Sequence, residues 1–153
     1  MKKHFILILI AVLFIQISSF SQTDRKWETY RIGLITPVDF NIIKNDKEEF
    51  SAKSNEVFIS LIPWNDSDVS NENIAKTLVQ ITKEMKYDEI TETAELIIKD
   101  FTGYGVNGKK DGKNAVIATL VNKKTGKNLI VIITYSNGKE KIAEDILMSI
   151  YGY

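Results

Sequence analysis

Two stretches, Ala115 to Val121 and Leu129 to Ile133, are apolar at almost every position. A strand with one wet face alternates apolar and polar side chains, so these two belong to a sheet covered on both faces. Lys123 to Gly126 between them is a tight turn, with glycine where a positive φ is wanted, and Asn107 to Gly112 is a similar turn ahead of the first. The two turns nearly repeat: Lys109-Lys110-Asp111-Gly112-Lys113-Asn114 becomes Lys123-Lys124-Thr125-Gly126-Lys127-Asn128. Such turns force antiparallel neighbours. This part of the chain therefore reads as three joined strands, Phe101 to Val106, Asn114 to Asn122 and Asn128 to Tyr135.

The remaining segments supply more strands and two covering helices. Tyr30 to Ile35 is strand-like and ends at Pro37, and Phe40 to Ile43 runs into the charged turn Lys44 to Glu49. A short segment begins at Phe50, and Glu56 to Ile62 alternates until Pro63 is expected to stop it. From Asn71 the apolar residues Ile74, Leu78, Ile81 and Met85 recur at helical spacing, with Ser70 as a cap and Glu72 suiting the first turn. Glu92 to Asp100 mixes helix and strand formers and is read as a strand. Asn137 offers a cap with Glu140 three residues on, before the broad stripe of Ile142, Ala143, Ile146, Leu147 and Ile150. Strands, helix, strands, helix is the order of an α+β fold, an antiparallel β-sheet sandwiched by helices.

The first residues follow the grammar of an export signal: basic Lys2 and Lys3, an apolar run from Phe5 to Ile17, then small polar residues to Ser21. That run is about 13 residues, where a membrane-spanning helix needs about 20, so cleavage is expected rather than anchoring. Residues 1–21 are thus read as a Sec-type signal peptide and residues 22–153 as one domain, periplasmic or secreted, with no stable membrane insertion. The signal would take Lys2 and Lys3 with it, turning a balance of 20 basic and 20 acidic side chains into a slight acidic excess. Such a charge does not suit a nucleic-acid binder that relies on a basic surface. It would also remove His4, the single histidine of a chain without cysteine. The exported form would then lack the side chains for Ser-His-Asp or Cys-His catalysis, zinc or haem ligation and disulfides.

The element order, the opening Trp27 to Pro37, the stretch Gly103-Tyr104 leading into Gly108-Lys109-Lys110-Asp111-Gly112, and the final strand and helix together resemble the PsbP-like fold. That resemblance implies an α/β/α sandwich and a binding or assembly role, with no catalytic residue carried over. The Gly-Tyr to Asp-Gly stretch also looks like small exported proteins of Bacteroidota-type bacteria.

Each candidate site has a plainer competitor. Trp27, Tyr30 and Trp64 flank the N-terminal strands and, with Tyr104, are the aromatics able to contact a sugar or peptide; packing in the core and rim is the default for such residues. Asp66, Asp68 and Glu72 form the one run with calcium-like character, but Asn71 and Thr77 stand where an EF-hand loop wants glycine and glutamate. A polar loop with a helix cap accounts for the same residues. Gly103, Gly105 and Gly108 match a dinucleotide fingerprint by spacing alone, since a hairpin follows where a helix is required. The lysines of the two repeated turns should lie at opposite ends of the sheet and not pool into one patch. The expectation is a small exported, non-enzymatic binding or assembly domain of the bacterial cell envelope, without a cofactor, whose partner is an envelope protein or a small ligand. The alternatives are a carboxylate-dependent hydrolase acting on envelope or extracellular glycan and a calcium-stabilised adhesion or inhibitor module.

Overall fold

The computed structural model describes residues 21–64 and 73–153. The expected calcium residues Asp66, Asp68 and Glu72, the Ser70 cap and all of the expected signal but Ser21 lie outside these. Strands β1 (Gln22–Trp27), β2 (Ile32–Pro37), β3 (Asn41–Asn45), β4 (Phe50–Lys53) and β5 (Val57–Trp64) precede helix α1 (Ile74–Glu84). Then come β6 (Ala94–Ile98), β7 (Phe101–Lys110), β8 (Lys113–Asn122), β9 (Asn128–Tyr135), helix α2 (Glu140–Met148) and the short β10 (Tyr151–Gly152).

Seven strands pair antiparallel in the order β3-β4-β5-β9-β8-β7-β6, and β1-β2-β10 form a separate small sheet. The apolar pair β8 and β9 lies near the middle of the large sheet, as its composition requires. On one face Leu78 of α1 packs with Val106, Ala115, Ile117 and Ile130. On the other, Phe50, Ile59, Leu120, Val131 and Ile133 meet Trp27 and Leu34 of the small sheet and Ala143 and Ile146 of α2. Each fully buried side chain of this size contributes about 1.5–3 kcal/mol. The expected sandwich is present, but on the second face the small sheet shares the covering with α2.

Local differences from the expectation have local causes. Pro63 does not end β5, which runs on to pair Trp64 with Asn128. The register of β4 stops at Leu61, so this end of β5 has one neighbour and tolerates a residue without an N–H. β7 extends to Lys110, so the six-residue turn expected before β8 shrinks to Asp111 and Gly112, both at positive φ (52° and 75°). That is the two-residue geometry that suits the twist of a hairpin. The cap at Asn137 does not form, because its side-chain oxygen accepts a hydrogen bond from Asn114 (2.9 Å). Glu140 instead accepts one from the Gly138 amide (3.2 Å), and α2 begins after Lys139. Tyr30 belongs to a single 3₁₀ turn, Glu28–Tyr30, that ends at Arg31 in the left-handed region (φ 54°). The ambiguous stretch before Phe101 is a strand, β6.

Candidate functional site

The four candidate aromatics do not form one platform. Trp27 is completely buried on the face shared with the small sheet, and its indole N–H donates to the Asp46 carbonyl at 2.6 Å. Tyr30 packs against it with ring centroids 4.4 Å apart and donates its hydroxyl to the Lys47 carbonyl. Trp64 and Tyr104 belong to the α1 side of the large sheet. Side chains two positions apart share a face, so Trp64 and Pro63 necessarily look in opposite directions.

Trp27 and Tyr30 instead line a pocket of about 260 Å³ where the small sheet meets the β8–β9 end of the large one. Ile32, Pro63, Phe101 and Leu129 supply its apolar lining. Among the described residues, three cations, Arg31, Lys124 and Lys127, stand around it with one carboxylate, Asp100. The fold holds these groups by local chemistry. The Asn122 side chain accepts from the amides of Lys124 (2.9 Å) and Thr125 (3.0 Å), and Gly126, at φ 67°, donates to the Asn122 carbonyl. The β8–β9 turn is therefore set by an Asx turn and a left-handed glycine. The Lys123 ammonium donates to the carbonyls of Ile98 and Lys99, tying that turn to the β6–β7 connection. Asp100 accepts from the Gly152 amide at 3.0 Å, and the Tyr153 amide donates to the Arg31 carbonyl, so β10 closes one wall.

The other repeated turn lies at the opposite end of β8, as expected. There Lys109 pairs with Glu89 at 2.7 Å and Lys110 donates to the Met85 carbonyl. Beside the pocket, Lys124 is 3.9 Å from Asp100, with its side chain 81% exposed. Among the described residues, neither Arg31 nor Lys127 has a carboxylate within ion-pair distance; the Arg31 guanidinium lies 5.8 Å from the Tyr153 ring centroid.

The outer face of the small sheet carries a second polar cluster. The Tyr151 hydroxyl donates to Asp24, Lys26 contacts both Tyr151 and Asp24, and the Lys26 ammonium also sits over the Tyr151 and Tyr153 rings. The hydrogen bonds to Tyr151 and then to Asp24 hold the Lys26 ammonium up at about 12. Burial pushes the Asp24 carboxyl up, but the hydrogen bonds from Tyr151 and Lys26 outweigh it and hold it below the ordinary aspartate value. This cluster fastens β10 and with it the wall of the pocket. Gly33 leaves room for it, since a Cβ there would lie 2.3 Å from the Tyr151 ring.

A groove of about 380 Å³ between α2 and the β2–β3 connection is lined by the carboxylates Asp39, Glu56 and Asp145. Lysines engage two of them, Lys139 on Glu56 at 2.7 Å and Lys141 on Asp145 at 2.6 Å. In the inter-sheet pocket Asp100 is the one carboxylate among the described lining residues, whereas two-carboxylate glycoside hydrolysis needs a pair across the cleft.

The residues missing from the sequence reading of this site are Arg31, Asp100 and Tyr153. Lys124 and Lys127 were visible as a basic turn, but the turn becomes part of a pocket only because the small sheet folds beside it. No helix among the described residues is long and apolar enough to cross a membrane.

No protein-family model matches the chain, and no curated protein sequence matches it. Solved structures do. The Ran-binding protein Mog1p of Saccharomyces cerevisiae overlays with a TM-score of 0.56 at 12% identity, covering 88% of this chain and 96% of its own. A Bacteroides thetaiotaomicron protein gives a TM-score of 0.50 at 12% identity over 86% of this chain, which spans only 48% of that protein. LpqN of Mycobacterium tuberculosis, described as involved in cell envelope biogenesis, gives 0.46 at 13% identity, covering 84% of this chain and 86% of its own. At such identities it is the fold that is shared, and the chain has the α+β architecture of Mog1p, in keeping with its PsbP-like resemblance.

Proposed function

We propose that this protein is a non-enzymatic binding domain, exported to the bacterial cell envelope, that holds a small ligand or a partner's side chain between its two sheets. The observation that carries this reading is the pocket itself: an apolar lining bordered by polar and charged groups that turns and backbone hydrogen bonds hold in place. Few convergent polar groups over an apolar surface is the usual make-up of a ligand site. That Mog1p, with the same fold, is named as a Ran-binding protein supports a binding role over a purely structural one. Export rests on the signal-like first residues alone.

Native mass spectrometry of the protein purified gently from the cells that make it tests both parts. The expected result is a chain beginning at Gln22 that carries an added mass, with the mass lost in Thr125→Trp, which places a large ring at the pocket's edge. A chain beginning at Met1 refutes export. A bare chain, or a bound mass unaffected by Thr125→Trp, refutes the pocket as the binding site.

A further inference from the structure

We propose that the inter-sheet pocket selects a small anionic ligand, one hydroxylated ring bearing a carboxylate or a phosphate, an inference that rests on reading this pocket as a ligand site. Charge carries the first step. Among the described residues, Arg31, Lys124 and Lys127 line the pocket with one carboxylate, Asp100, which already accepts from the Gly152 amide. Lys124 makes only a 3.9 Å approach to that carboxylate, and among the described residues neither Arg31 nor Lys127 has a carboxylate within ion-pair distance. Apolar walls of low polarisability focus such a field into the cleft between them.

Shape and hydrogen-bonding capacity carry the second step. At about 260 Å³ the pocket lies just below the usual range of about 300–1,000 Å³ for small-molecule sites, which suits one ring and not a chain of them. Tyr30, Pro63 and Tyr153 are the lining residues with ring surface left open to a ring face, and Thr29, Thr125 and Asn128 offer hydroxyl and amide groups to ring hydroxyls. A guanidinium matches the paired oxygens of a carboxylate or phosphate, and the two lysines add point charges.

The test is a backbone amide NMR titration of the purified protein with glucuronate, glucose 6-phosphate, glucose and inorganic phosphate. Glucuronate, glucose 6-phosphate or both should move the amides of Arg31, Asp100 and Lys124 to Lys127, at least roughly tenfold more tightly than glucose or inorganic phosphate, the worth of a charge-assisted hydrogen bond. Whichever of the two acidic sugars binds better identifies the anionic group. Lys127→Glu should weaken binding by about the same factor, while Lys113→Glu at the far turn leaves it unchanged. Glucose binding as tightly overturns the anion selectivity and leaves the ligand pocket standing. Inorganic phosphate binding as tightly overturns the ring. Acidic sugars that shift no pocket amide, or shift only the far turn, overturn the inference as a whole. The pocket reading falls separately, on a bare chain in native mass spectrometry.

Discussion

Replacing Trp27 by alanine distinguishes a buried tryptophan that builds the pocket from one that meets a ligand. The indole is completely buried, and truncating such a side chain costs about 3–5 kcal/mol in lost transfer energy and residual cavity. Its N–H also donates to the Asp46 carbonyl at 2.6 Å. Asp46 lies in an exposed turn, so water can take over that carbonyl and the further loss is near the ordinary net value of about 1 kcal/mol. The sum, about 4–6 kcal/mol, is comparable to the whole stability of a marginal domain of this size. Trp27→Phe keeps most of the packing and loses the donor, so about 1–2 kcal/mol is expected. Trp64 is only partly buried, on the opposite face, and Trp64→Ala should cost about 1–2 kcal/mol. Urea unfolding followed by far-ultraviolet circular dichroism, with slopes compared to detect changes in the unfolded state, measures all three. A loss below about 2 kcal/mol for Trp27→Ala, or an equal loss for Trp64→Ala, would refute the placement of these two rings.

Two further substitutions probe the backbone and the pH response. A Cβ at Gly103 would lie 1.8 Å from the Thr119 carbonyl oxygen, so Gly103→Ala must part β7 from β8 and should cost about 3 kcal/mol or more. Gly112→Ala meets nothing within 4 Å and should cost only about 1 kcal/mol for its positive φ; similar losses in the two variants would sink the close-approach argument. Because the folded pKa of Asp24 is lowered, its contribution is present above the unfolded value and is lost as pH falls through the folded one, that is, below about pH 4. The side chain is 48% exposed, so solvent screening keeps the effect under about 1 kcal/mol. Protection of the Tyr151 amide against hydrogen exchange, taken relative to its intrinsic rate at each pH, should fall on acidification in the wild type and much less so in Asp24→Asn, and parallel pH profiles would remove the carboxylate from the tether.

The site was legible only in fragments. Lys124 and Lys127 stood out in a repeated basic turn, and the expectation that the two turns lie apart holds because consecutive hairpins reverse direction. Trp27, Tyr30 and Trp64 all flank one run of strands in the sequence, but register decides faces, and a single-residue step between Pro63 and Trp64 sends the latter to the other side. Arg31 and Asp100 carry no local signature. They matter because β10 bonds to both, Gly152 to the Asp100 carboxylate and Tyr153 to the Arg31 carbonyl.

What the amino-acid sequence determined by itself was everything that depends on near neighbours: the doubly covered strands β8 and β9, their turns, the apolar stripes of α1 and α2, and hence an antiparallel α+β sandwich. Side-chain period and turn chemistry act within a few residues, so they are readable without coordinates. The tertiary structure alone decided that polar Gln22–Trp27 and the two residues of β10 are strands, since neither has a periodicity of its own and both are ordered by bonding to β2. It also decided that this small sheet, and not a helix alone, closes one face. The pocket exists at that junction because pairing across more than a hundred residues, Tyr151 with Gly33, brings segments together that no local pattern connects.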